Sequence, residues 1–493
     1  KVKVLMVLGH EGCGAVRSAM ASDEEISKHP PALCKVLGEV KKGLQLERLK
    51  MICDCRARDR EAVVANVRNQ IEQLKDVDLF KNKIKSNELI VTGAFYEISS
   101  GIVDFFMKNF EEEEFLNNLS DLKVKALDFL KSCRVNDYSF RLCPNSEESP
   151  YARCFAIFLT NLLKDNSLKQ NYAQLKNAIV IAVEKAHSTK NIQGKDFRQL
   201  LAFSLSALSI LDNESPRLLN QYIKEQIDIY NKNSLNSLGC LRGLPGSGNQ
   251  AMFYAIFLIH AQNYINIDTK NLQKKWIENH LSSMNKFGFW GKSTHLKHLH
   301  FQNGYHQYEI LEYLNVDIPN ISDKLKNIQT LKDGIGHYAP YPGGGGCYDY
   351  DAIFLLTWKY TNIDAKLKES LLLIYNQIIS EQNGDGGFAE NKLINKKDFL
   401  FYKLALINLF NSLSMPSLFK ERLRLFLSLH LKKNKRIKTH WTQYSRRWDE
   451  SNLWDTWFRI LSLARIEISL ENKKIKNWGM IKYQGIGYHH LFE

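Results

Sequence analysis

Hydrophobic residues in the first hundred positions come in short runs closed by polar turns. Val2, Val4, Leu5, Met6, Val7 and Leu8 form an apolar stretch that ends at Gly9-His10-Glu11-Gly12-Cys13-Gly14. The pattern predicts a buried strand turning into a helix over about residues 15–21. Residues 22–59 carry no clear period. The 3, 4, 3 spacing of Val64, Val67, Ile71 and Leu74 then predicts an amphipathic helix over 60–75. A second strand is expected at 89–94, and Tyr96-Glu97-Ile98, Ser99-Ser100-Gly101 and Ile102-Val103-Asp104-Phe105 read as a hairpin. Together these make an α/β unit.

Past Phe106 the pattern changes. An acidic run occupies 111–114, and helical periodicity continues from about residue 120 to the end. Four punctuating turns recur at 285–291, 332–337, 382–388 and 439–444, the first three rich in glycine, about fifty residues apart and each between apolar helices. That period is two helices with their turns, and repeated pairs bury a core by stacking or by closing into a ring. Residues 352–358, Ala-Ile-Phe-Leu-Leu-Thr-Trp, are apolar enough for an inner helix layer. The predicted organisation is an α/β domain over 1–106, a helical linker or bundle over 107–199, and an all-α domain over 200–493.

Composition narrows the class. A chain of 493 residues with 44% hydrophobic content exceeds one ordinary core. No run of about 18 uncharged apolar residues occurs, so no transmembrane segment is expected. The net charge of +14 is spread along the chain as lysine with Asn and Ile, which reads as a solvated surface, not a nucleic-acid site. The densest basic stretch, Lys432-Lys433-Asn434-Lys435-Arg436-Ile437-Lys438, suits an anionic lipid or polymer at most. Nine irregularly spaced cysteines point to a reducing, cytoplasmic setting. The apolar run follows Lys1 at once, with no secretory leader before it, so the domain's true beginning is expected upstream.

His10 and Cys13 are the first candidate site. An imidazole and a thiolate three residues apart at a strand-to-helix turn can reach one metal, and zinc accepts that pair. The same spacing also occurs in ordinary turns. Val7-Leu-Gly-His-Glu-Gly-Cys-Gly-Ala-Val16 resembles the second zinc motif of β-carbonic anhydrases. His29-Pro-Pro-Ala-Leu33, Ala65-Asn-Val-Arg-Asn-Gln-Ile71, Val91-Thr-Gly-Ala-Phe-Tyr-Glu-Ile98 and Gly101-Ile-Val-Asp-Phe105 follow in that family's order. The resemblance covers the later half to two thirds of the family's domain. It implies a Zn2+ ion held by two cysteines and a histidine, with His10 and Cys13 as the later two ligands. It also implies hydration of carbon dioxide to bicarbonate by zinc-bound hydroxide, and a homo-oligomer through the first domain. The family's earlier ligand and its Asp–Arg pair come from a C-x-D-x-R segment absent here. Cys53-Asp54-Cys55-Arg56 lies downstream with the wrong spacing and reads as a surface loop before the helix at 60.

The turn Gln382-Asn-Gly-Asp-Gly-Gly-Phe388 resembles the repeat of α/α-toroid proteins, which include triterpene cyclases and protein prenyltransferase β subunits. The prenyltransferase zinc set is not matched: Gly345, not Asp, stands two before Cys347, and no histidine lies near Lys397-Asp398-Phe399. Class II terpene cyclases carry D-x-D-D, and Asp349-Tyr350-Asp351-Ala352 supplies two of its three carboxylates. The resemblance makes Asp351 the acid and Asp349 its neighbour; alternatively the two cap a helix. Gly343-Gly-Gly-Gly346 would let backbone approach a ligand closely, and Gly243-Leu-Pro-Gly246-Ser-Gly248 is a flexible loop. His295, His298, His300 and His306 with Glu309 are either metal ligands or a polar ring mouth. Trp441, Tyr444, Trp448, Trp454 and Trp457 either line an isoprenoid cavity or close a core. The leading expectation is zinc-dependent carbon dioxide hydration. Its rivals are isoprenoid cyclisation or binding in the toroid, and a scaffold role for both domains.

Overall fold

A computed structural model describes residues 3–50, 52, 54–85, 88–99, 101–106, 112–232, 239–360, 363–395, 399–431 and 436–480. The chain divides into two compact units, Lys1–Leu116 and Asn117–Glu493. Cys53, Lys397, Asp398 and Lys432 to Lys435 lie outside the described residues.

The first unit holds a three-stranded sheet, β1 (Val4–His10), β2 (Ile90–Glu97) and β3 (Ile102–Phe106), in that order. β1 pairs parallel with β2, Val4 opposite Ile90 and His10 opposite Tyr96, and β3 returns antiparallel as the expected hairpin. Helix α1 (Gly14–Ala19) packs on α2 (Pro31–Lys42) and on α3 (Cys55–Lys75), and α3 packs on β1 and β2. Their core is Val16, Ala19, Leu37, Val63, Val67, Ile71 and Phe95. Two expectations are corrected here. The described residues of 22–59 include further helices, with Pro31 opening α2 at a position where its missing N–H costs nothing. α3 starts at Cys55, not 60, because the Asp54 carboxylate accepts the Ala57 N–H at 2.7 Å and caps the helix. Helices cover one face of β1, while Val4, Met6, Leu8 and His10 alternate onto an exposed face.

The second unit is an α/α toroid. Its inner helices are α5 (Pro150–Leu162), α7 (Lys195–Leu211), α9 (Ser247–His260), α11 (His298–Tyr313), α13 (Gly346–Leu356) and α17 (Leu453–Leu470). Each packs on the next in that order, and α17 packs back on α5, closing the ring. The outer layer includes α6 (Tyr172–Thr189), α8 (Asn220–Lys232), α10 (Lys270–Ser282), α12 (Ile321–Lys326) and α14 (Ala365–Ser380), each against an inner helix. α4 (Glu112–Ser132) precedes them, and α15 (Phe399–Phe410) and α16 (Pro416–Leu431) form a helical hairpin before α17. The inner helices are apolar nearly all round because neighbours cover them on both sides; α13 is buried from Asp349 to Leu356. The ring takes in residues before 200, since α5 supplies the closing contact.

Three of the four recurring turns, those that carry glycine, share one geometry. The N–H of Asn285, Asp333 and Asn383 donates to the carbonyl four residues on, at 2.6, 2.7 and 2.9 Å. Gly288, Gly336 and Gly386, three residues on, all have positive φ. The turn at 439–444 does not repeat this bond among the described residues.

Candidate active site

His10 closes β1 and its side chain is exposed. Its Nδ1 lies 3.0 Å from the Glu11 carbonyl oxygen, which places the proton on Nδ1 and leaves Nε2 for a ligand. Metal-binding histidines are oriented by this kind of backbone bond. Glu11 is itself clamped: Oε1 takes Arg56 Nη2 at 2.6 Å, and Oε2 takes the Ser99 N–H at 2.9 Å. These contacts hold its carboxyl below the usual range, the Ser99 backbone bond most of all. Cys13 follows at the start of α1, half-buried against the core. Among the described residues no group of three or more His, Cys, Asp or Glu is arranged around one metal. The donors therefore fit zinc in kind, as a half-set of two.

In the ring, Asp349 and Asp351 part ways. Neither caps α13: the N-cap is Gly345, and both aspartates lie inside the helix. Asp349 is fully buried, accepting the Tyr338 N–H at 2.8 Å, His337 Nδ1 at 2.8 Å, and Arg459 Nη1. His337 Nε2 reaches Glu381 Oε1 at 2.7 Å, and Arg459 Nη2 lies 3.4 Å from Glu381 Oε2. Two carboxylates thus face two cations. Burial works against the imidazolium, yet Glu381 and Asp349 override it and lift His337 to about 10. Burial likewise disfavours the Asp349 charge, and His337 and Arg459 outweigh it and hold the carboxyl low.

Asp351 is the opposite case. It is 3% exposed, and no hydrogen bond to its carboxylate is found among the described residues. Desolvation first, and the Asp349 charge second, drive its pKa well above the carboxylate range. Burial likewise drives Glu309, on the neighbouring α11, well above the carboxylate range. Cys347, Tyr348, Glu390 and His306 are each half-buried. Cys347 and Asp351, four apart, share one face of α13.

The glycine run serves this network and not a ligand. A Cβ on Gly344 would lie 2.4 Å from His337 Nδ1, and one on Gly346 would lie 2.4 Å from Asp455 Oδ1. Beside it, Tyr341 donates to Glu390 at 2.9 Å, and Arg446 lies 3.5 Å from Glu390 and 3.7 Å from Asp455. Burial, with Asp455 near, raises Glu390 to about 7.

The histidine group is dispersed and holds no metal set. His298 bonds Glu421 at 2.9 Å, His300 stacks on Phe287, His306 bonds Asn249 at 3.0 Å, and His295 bonds Thr294 at 2.9 Å. The tryptophans are divided as well. Trp441, Trp454 and Trp457 cluster with Phe155, whereas Trp448 packs on Tyr341, and Tyr444 bonds Glu450. Sequence reasoning treated His337 as part of a turn and passed over Arg459 and Glu381. The available signal was an arginine and an aspartate, Asp455, within the apolar run of α17.

Residues 1–103 match the carbonic anhydrase family model. No curated protein matches the chain. Among solved structures, the apo type II terpene cyclase MstE from Scytonema aligns over 72% of this chain and 99% of its own, at 11% identity and a TM-score of 0.42. A Tyr-to-Phe variant of MstE aligns over 73% of this chain and 99% of its own, with the same identity and score. The toroid rests on its own helix contacts, not on these distant alignments.

Proposed function

We propose that the ring donates a proton from Asp351 to an apolar alkene, opening an isoprenoid cyclisation. The supporting observation is the state of Asp351: shut off from bulk water, without a donor among the described residues, and beside an ionised Asp349. Such a carboxyl keeps its proton at neutral pH. The step balances as follows. The Asp351 O–H bond breaks, and the alkene π pair takes the proton onto its less substituted carbon. The other carbon becomes a carbocation and Asp351 becomes a carboxylate. A second alkene of the substrate attacks the cation, and loss of a proton to a base ends the reaction. Tyr348, on the same helix, is half-buried, and an aromatic face would steady a cation. Ala352 stands where D-x-D-D has its third carboxylate, so the support falls to Asp349 with His337 and Arg459. The test is geranylgeraniol and squalene incubated with the full chain in deuterium oxide. A cyclised product carrying one new C–D bond is expected, with none from Asp351→Asn. Equal turnover by that variant would refute the role.

A second reading concerns the first unit, and the family match over residues 1–103 supports it. We propose zinc-dependent hydration of carbon dioxide, with His10 Nε2 and Cys13 Sγ as two of the metal's ligands. Bound zinc supplies hydroxide at neutral pH. This chain's own part is to aim His10, through the Glu11 carbonyl and the Arg56 and Ser99 clamp on Glu11. The uncovered face of Val4, Met6 and Leu8 favours self-association through this unit. Cys13, Cys34, Cys55, Cys133, Cys143, Cys154 and Cys347 are free thiols, which fits a cytoplasmic setting. No described helix is long and apolar enough to cross a membrane. Stopped-flow hydration assays with and without a zinc chelator test this reading, and equal rates would contradict it.

A further inference from the structure

In the hairpin of α15 and α16, apolar side chains face water as well as the core. The inward side of α15 is Phe401, Leu404, Ala405 and Asn408, all buried. Phe401 joins Tyr341 and Ile394 in one core cluster. Arg422 of α16 ties the hairpin down: Nη1 donates to the Asn408 carbonyl at 2.8 Å, and Nη2 to the Leu331 carbonyl at 3.0 Å. With that side seated, the outward stripe runs through Phe399, Lys403, Leu406 and Phe410, and on to Leu413 in the turn after α15. Steps of four, three, four and three keep these positions on one face. Phe399 is 82% exposed, Leu406 61%, Phe410 74% and Leu413 57%. A lone exposed leucine is ordinary, whereas two phenylalanines and two leucines in one stripe form a patch that calls for a cover.

The charges beside the stripe have one sign. Residues 399–431 carry Lys403, Lys420, Arg422, Arg424 and a single acid, Glu421. Glu421 turns inward, where its carboxylate accepts the His298 N–H at 3.1 Å and the Leu299 N–H at 3.3 Å. Lys403, Lys420 and Arg424 are exposed, and among the described residues none of them pairs with a carboxylate. Lys420 and Arg424 stand one turn apart on α16, and the exposed Leu427 continues their face. A second copy set against this side would bring cation to cation with no acid between them. The occupant must offer apolar matter to the stripe and negative charge beside it. A bilayer surface containing anionic lipids offers both: the acyl boundary takes the Phe and Leu side chains, and the lipid phosphates take the Lys and Arg. α15 has 12 residues, too few to span, so it lies in the interface.

We propose that the α15–α16 hairpin docks the second unit on an anionic membrane surface, with Phe399, Leu406, Phe410 and Leu413 in the acyl boundary and Lys403, Lys420 and Arg424 at the lipid phosphates. The docking goes beyond the chemistry proposed for the ring and stands independently of it.

The test is flotation of the full chain with vesicles of phosphatidylcholine alone and of phosphatidylcholine with about one third phosphatidylserine, at low and high salt. The chain should bind the anionic vesicles about tenfold or more tighter than the neutral ones, and should be released as salt rises. Phe399→Ser with Phe410→Ser should weaken binding about tenfold or more. Lys403→Gln, Lys420→Gln and Arg424→Gln together should erase the preference for anionic vesicles. Met6→Ser, which removes an exposed apolar side chain from the first unit, should change nothing. Exposed positions tolerate such replacements, and an unchanged urea midpoint by tryptophan fluorescence checks that the ring stays folded. No binding to either vesicle, equal binding to both, or binding that survives the paired Phe changes overturns the proposal. Loss of binding in Met6→Ser with retention in the Phe pair places the contact on the first unit and overturns it too. A dimer in light scattering that the Phe pair dissolves, without vesicle binding, gives the face to a second copy and likewise overturns it.

Discussion

Replacing Asp349 by asparagine removes one of four charges in a sealed cluster. Asp349 and Glu381 balance His337 and Arg459, and all four side chains are at most 13% exposed. The variant leaves one buried positive charge uncompensated, a change that typically costs about 3–5 kcal/mol. The histidine gives an independent figure. Holding His337 at about 10 instead of 6.5 is worth about 4 kcal/mol at pH 7, shared between its two carboxylate partners. Loss of Arg459's partner adds to the histidine's half, so about 3–5 kcal/mol is expected. All eight tryptophans lie between residues 276 and 478, so tryptophan fluorescence in urea reports the helical unit alone. His337→Gln in the same background should cost less than the sum of the two changes, since they act on one network. A loss below about 1 kcal/mol, or additive single changes, would refute the ionised network.

The raised His337 pKa also sets a pH dependence. Its contribution to stability is fully present below about 6.5 and declines as pH rises through about 10, so the ring's melting temperature should fall across that window, less so in His337→Gln. Gly344→Ala forces a Cβ to 2.4 Å from His337 Nδ1 at a φ of +79°, and should cost about 3 kcal/mol or more in the same urea titration. Bound zinc, measured by plasma mass spectrometry on the full chain, should fall in both His10→Ala and Cys13→Ser; unchanged metal in both would remove them as ligands.

Much of the architecture was legible because it rests on local periodicity. The alternation around β1 and β2, the stripe of α3, and the glycine turns at fifty-residue spacing each follow from neighbouring residues. The start of α3 was missed because one side chain, Asp54, decides it by capping. The closing role of α5 was hidden because ring closure joins residues some three hundred positions apart. The acid site was half legible. Asp349 and Asp351 stood out by spacing, but nothing local says that one is ionised and the other neutral. That difference comes from His337 and Arg459, 12 positions before and 110 positions after Asp349. The glycine run looked like room for a ligand, and is room for the side chains of that network.

The proton on Asp351 is the point on which the ring's chemistry turns, and infrared difference spectroscopy of the full chain against Asp351→Asn at pH 7 reads it directly. The account predicts a carbonyl band of a protonated carboxylic acid that the variant lacks and that shifts in deuterium oxide. A difference spectrum with carboxylate bands in its place, showing Asp351 ionised at neutral pH, would contradict it.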